Sequence, residues 1–99
     1  MDPTTHSTWT FLSNHAHVLI CLDQQPDARL RDLAARVGLT ERAVQSIVRD
    51  LERAGVVTRI REGRRNRYRI HEAQLRRPLG TDVTTRDLLA LIRPEPAPR

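Results

Sequence analysis

Leu33-Ala34-Ala35-Arg36-Val37-Gly38-Leu39-Thr40, continued by Glu41 to Ala54 and then Gly55-Val56-Val57, is the stretch from which the fold can be read. Leu30, Leu33, Ala34 and Val37 stand at i, i+3, i+4 and i+7, the spacing of one helical face, and predict a helix over 31–37. Gly38 is placed to take a positive φ and end it. Leu39 is then a buried turn residue and Thr40 an N-cap. A second helix is expected over 41–54, with Val44, Ile47, Val48 and Leu51 on its inner stripe. Arg42, Gln45, Ser46, Arg49 and Arg53 face outward, and Gly55 closes the helix.

Two short helices joined through a Gly-containing turn make a helix-turn-helix unit, and the small Ala34 and Ala35 let them approach closely. An ordinary helical hairpin is the plain alternative. The outer face of the second helix argues against it, because it carries Arg and Gln rather than mixed Glu and Lys. After Gly55 the period changes from helical to alternating. Residues 56–61 read as a strand, 67–70 as its return, and 62–66 as the connection, giving a wing over 56–70. Matching the apolar Ile60, Tyr68 and Ile70 on one face pairs Ile60 with Tyr68 and Thr58 with Ile70, and centres an odd-length loop on Arg64. Arg59, Arg61, Arg67 and Arg69 then share the opposite face. Such a face repels itself by roughly a few tenths of a kcal/mol or more per close pair, a cost an anion would relieve.

Outward from this centre, residues 1–7 read as an arm and a helix is expected over 8–25, capped by Ser7 or Thr8. It carries two apolar stripes, one through Trp9, Leu12, Ala16, Leu19 and Ile20, the other through Phe11, Val18 and Leu22. Two stripes suggest packing on two sides. On the C-terminal side, Thr84-x-x-Asp87 resembles a capping box opening a helix within 78–93. Its Leu88, Leu89, Leu91 and Ile92 favour burial by roughly 2 kcal/mol each. Residues 94–99, rich in Pro, read as a disordered tail.

Charge and composition narrow the function. The 99 residues carry a formal net charge of +5, every one of the 17 basic residues is Arg, and residues 59–69 hold six Arg against Glu62 alone. That block is an electrostatic footprint for a polyanion. No secretory leader is evident at Met1–Thr5 and no apolar run approaches the ~20 residues of a membrane span, so a soluble cytoplasmic protein is expected, with no membrane partner. No phosphate-binding Gly-rich loop, nucleophile elbow or carboxylate pair in an apolar setting is present, so no enzyme and no cofactor is expected. The single Cys excludes an internal disulfide and a Cys-cluster zinc site. His17 and Cys21 stand i, i+4 on what reads as the polar side of the first helix. With no third ligand nearby, a partly exposed structural Cys is favoured over a metal site or a redox switch. His15, between the stripes, is read as an interface hydrogen-bonder, and Trp9 as core or interface.

The order helix, helix-turn-helix, charged β-hairpin, helix resembles the winged helix-turn-helix transcription factors, most closely the small dimeric bacterial regulators of the MarR and ArsR type. The likeness is carried by Leu33–Thr40, Ala43-Val44-Gln45, Leu51–Val57, Arg61–Arg65 and Tyr68-Arg69-Ile70. It implies a mainly α fold with a small β-hairpin: a winged helix-turn-helix domain over 8–77 flanked by N- and C-terminal dimerisation helices. It further implies a homodimer that binds double-stranded DNA at a pseudo-palindromic site, nucleoid-associated in the cytoplasm. The recognition helix would enter the major groove, bringing Arg42, Gln45, Ser46 and Arg49 to base edges and Thr40 to a phosphate. The wing would lay Arg59, Arg61, Arg64, Arg65 and Arg67 along the backbone or into the minor groove. Trp9, Phe11, Val18, Leu22, Leu88, Leu89, Leu91 and Ile92 are the expected dimer contacts.

Two departures qualify the likeness. The Cys-x-Cys metal site common in the ArsR type is absent from residues 29–39, so no metal is expected. MarR-type chains are usually longer, and 99 residues leave little room for their ligand pocket, so the effector is left open. A winged helix that docks a protein, or a non-specific chromosome-associated protein, are the alternative readings.

Overall fold

Gly38 adopts φ +75° and ends one helix, and its N–H donates to the Ala34 carbonyl at 2.9 Å. Two residues on, the Thr40 hydroxyl accepts from the Ala43 N–H at 3.1 Å and opens the next. The computed structural model describes residues 9–75 and 82–93, and the chain runs α1 (Asn14–Gln24), α2 (Leu30–Val37), α3 (Glu41–Arg53), β1 (Val57–Glu62), β2 (Arg65–Ile70) and α4 (Thr85–Ile92). It is mainly α with one antiparallel hairpin, a winged helix-turn-helix. The arm over 1–7, Arg76, Arg77 and the tail over 94–99 lie outside the described residues.

One core serves all the elements. Leu33 and Ala34 from α2 and Val44, Ile47, Val48 and Leu51 from α3 meet Val18, Leu19 and Leu22 of α1. Val57 and Tyr68 bring the base of the hairpin onto the same cluster, and Leu89 brings α4. The helix α1 touches α2, α3, β2 and α4. The helical part of each apolar stripe is therefore consumed inside the chain: Leu19 of one, and Val18 and Leu22 of the other, are buried. Cys21 is also buried, so the polar side assigned to it is core.

The first helix begins later than expected. Its N-cap is Ser13, whose hydroxyl accepts from the Ala16 N–H at 3.2 Å, in place of Ser7 or Thr8. Trp9 and Phe11 precede the helix and are exposed, with their rings edge to face at 4.8 Å. The Ser cap nearest the buried residues is the one used, and the turn before it leaves Trp9 and Phe11 outside the core.

The hairpin register is shifted by one residue from the expected one. Val57 pairs with Ile70, Arg59 with Tyr68, Ile60 with Arg67 and Glu62 with Arg65, around a two-residue turn at Gly63-Arg64. Gly63 has φ +62° and, among the described residues, no non-Gly residue has positive φ, the pattern of a type II′ turn, whose twist suits a hairpin. The core-facing set is Val57, Tyr68 and Ile70, with Ile60 on the other face. The expected row of four Arg is thereby split, Arg59 and Arg61 on one face and Arg67 and Arg69 on the other.

Beyond the hairpin, Thr85 seals the connection to α4. Its buried hydroxyl donates to the His71 carbonyl at 2.8 Å and accepts from the Ala73 N–H at 3.1 Å, so it is satisfied on both counts. Thr84 and Asp87 form the expected capping box. Arg93 clamps the far end of α4 to α1 through a two-pronged ion pair to Asp23, at 2.8 and 2.9 Å. Among the described residues no helix is long and apolar enough to cross a membrane.

Candidate nucleic-acid interface

The amphipathic division of α3 positions the site. With Val44, Ile47, Val48 and Leu51 turned into the core, the 3.6-residue period leaves Arg42, Gln45, Ser46 and Arg49 as one exposed stripe. Thr40 is exposed too, but its hydroxyl oxygen is engaged as the cap.

The wing is fastened on both sides. The Arg59 guanidinium donates to Glu52 of α3 at 2.6 Å. That hydrogen bond, reinforced by the carboxylate charge, raises the Arg59 pKa against a smaller opposing effect of burial. At the other edge, the Tyr68 N–H donates to the Pro26 carbonyl at 2.9 Å and Arg65 donates to the Asp27 carbonyl at 2.7 Å. At the tip, Arg61 donates to the Gly63 carbonyl at 2.8 Å. Arg59 is thus a strut between helix and wing, while Arg64 and Arg67 stand exposed.

The N-terminal end of α3 and the tip of the wing lie together. Glu41, the first residue of α3, lines a cleft of about 410 Å³ together with Arg64 and Arg65 of the wing and Arg29 and Arg31 from the start of α2. Arg29 and Arg31 escaped the sequence reading. Arg29-Leu30-Arg31 is visible in the sequence, but that β2 is stitched to the loop before α2 is not.

The expected dimer residues divide. Val18, Leu22 and Leu89 belong to the chain's own core, because α4 packs directly on α1. Trp9, Phe11 and Leu91 are exposed, Phe11 and Leu91 at 92% and 84%, and Leu88 and Ile92 are half-buried. His15 reaches across to Asp50 of α3 at 2.8 Å. It sits on the rim of a second cleft of about 610 Å³, lined by Leu19, Leu51, Arg53, Val56 and Leu88. No group of three or more potential metal ligands occurs among the described residues. His17 Nε2 is buried without a hydrogen-bond partner among the described residues.

Comparison with known proteins agrees with this architecture. The sequence model of the MarR family matches residues 13–64, which span α1 through the wing tip. Among solved structures, the PcaV transcriptional regulator from Streptomyces coelicolor, in complex with its natural ligand, is similar at 30% identity and a TM-score of 0.53. The match covers 61% of this chain and 45% of that one, so the chain spans less than half of that regulator's length. A comparison with curated proteins finds no match.

Proposed function

The chain belongs to the MarR family, whose members are winged-helix transcription regulators rather than enzymes, and from that premise we propose that it is a sequence-specific regulator binding double-stranded DNA as a homodimer. The observation that carries this reading is the shared exposure of Arg42, Gln45, Ser46 and Arg49 on α3 beside a cationic wing braced to that same helix by Arg59–Glu52. In the major groove, Arg42 and Arg49 can each grip guanine O6 and N7, and Gln45 can grip adenine N6 and N7. Arg64, Arg65 and Arg67 serve the backbone or the minor groove, a non-specific attraction that places the helix. Arg59 and Arg61 contribute charge, but their donors also hold the wing in shape. Thr40 acts through the cap that orients the first turn of α3.

Dimerisation completes the site. Trp9, Phe11 and Leu91, with Leu88 and Ile92 beside them, supply the apolar contacts that a second copy would cover. A two-fold pair sets the recognition helices about one DNA turn, ~34 Å, apart and calls for a roughly palindromic site. The PcaV regulator binds a natural ligand. The cleft beside His15 and Arg53 is where we place an effector of this chain.

Selection of bound fragments from random genomic DNA, followed by sequencing, tests the proposal. Enrichment of one palindromic sequence is expected. Uniform recovery of all fragments would instead support a non-specific chromosome-associated protein, and no retention at low salt would support a protein-docking winged helix.

A further inference from the structure

The cleft between wing and α2 is built rather than incidental. Its floor is the buried pair Ala28 and Tyr68, and its two walls are locked by the Tyr68–Pro26 and Arg65–Asp27 hydrogen bonds. Four arginines, Arg29, Arg31, Arg64 and Arg65, line it together with two acidic residues, Asp27 and Glu41. Arg29, Arg31, Arg64 and Arg65 make no ion pair among the described residues, a state they share with the exposed arginines of α3, whereas Arg59, Arg86 and Arg93 are paired with acids. What sets the cleft apart is that four such arginines line one concavity, next to the first residue of α3.

We infer that this cleft holds a phosphodiester of the DNA backbone, gripped by Arg29 and Arg31 from the α2 side and by Arg64 and Arg65 from the wing; the inference rests on the DNA-binding reading above. Guanidinium suits the task because its planar fork meets two phosphate oxygens at once. The grip extends the DNA-facing surface from helix and wing to the start of α2. It also fixes the register of α3 along the groove, because a strand held beside Glu41 sets where Arg42 and Gln45 fall. Glu41 and Asp27 oppose the bound anion. Glu41 in particular moderates binding that carries no sequence information.

The test is equilibrium binding of the full chain to a random-sequence duplex across a range of salt. The variants are R29Q/R31Q, R29K/R31K and E41Q, with R36Q as a control, since Arg36 lies outside the cleft and bonds Gln24. The positions of Arg29 and Arg31 are exposed, so the substitutions leave the core intact. The Gln pair should weaken binding to every sequence and flatten the log–log salt slope by about one. The Lys pair should restore the slope, E41Q should tighten binding, and R36Q should do neither. An R29Q/R31Q protein with wild-type slope and affinity overturns the cleft assignment while leaving the DNA-binding reading intact. A wild-type protein that retains no duplex at about 50 mM salt overturns both.

Discussion

Arg49 and Arg64 are both exposed cations, yet they stand on different elements and face different chemistry. Arg49 lies on the outer stripe of α3, which the proposed docking turns toward base edges. Arg64 lies at the wing turn, which the proposed docking sets against sugar and phosphate or in the minor groove. Arg49→Ala should therefore weaken a selected site more than random DNA, by about 1–3 kcal/mol for a two-bond contact. Arg64→Ala should weaken all sequences alike and lower the salt slope by about one. Competition binding at several salt concentrations checks both, and equal loss on every sequence for both variants would contradict this division. Gly63 matters for a backbone reason. At φ +62°, with nothing within 4 Å of an added Cβ, Gly63→Ala meets no clash. It should still cost about 1–2 kcal/mol of left-handed strain, read from denaturant unfolding.

At the scale of elements, the tie between α3 and the wing is the Arg59–Glu52 pair. Both groups are partly exposed, so the pair is worth at most about 1 kcal/mol. Glu52→Gln should lower stability by no more than that, while raising amide exchange along β1. Because the Arg59 pKa is raised by its partner, its contribution is present throughout the neutral range. That contribution is lost only as pH climbs past the ordinary arginine range. Much of this level was legible from sequence. Gly38, Thr40 and Gly55 punctuate the chain by local backbone chemistry, so the helices over 30–53 and the hairpin that follows could be placed without coordinates. The register could not. It is set by the Gly63 turn and by Val57, which competes with Ile60 for the core, and only packing shows that Val57 wins. The start of α1 was likewise hidden, because Trp9 and Phe11 fit a helical stripe that tertiary structure leaves unused.

For the whole molecule, the division of apolar surface decides assembly. A helical wheel cannot say whether a second stripe meets another subunit or another helix of the same chain. Here Val18, Leu22 and Leu89 meet within one core, which leaves Trp9, Phe11 and Leu91 facing outward. Leu91→Glu should therefore leave folding intact while shifting the protein toward monomer in sedimentation at micromolar concentration. Leu22→Ala should instead cost about 2–5 kcal/mol of stability, because it empties a fully buried position. A wild-type chain that sediments as a stable monomer would refute the proposed dimer. The basic cleft was invisible at this scale too: Asp27, Arg29, Glu41 and Arg65 meet only because β2 pairs with the loop after α1.

The most direct test of the duplex-binding surface is amide chemical-shift mapping of the full chain titrated with a short duplex bearing its selected site. The shifts should concentrate on residues 41–49 of α3 and on the wing around Gly63 in the same titration, with the outer side of α4 unmoved. Shifts confined to α4 and the Trp9–Phe11 segment, with α3 and the wing silent, would contradict it.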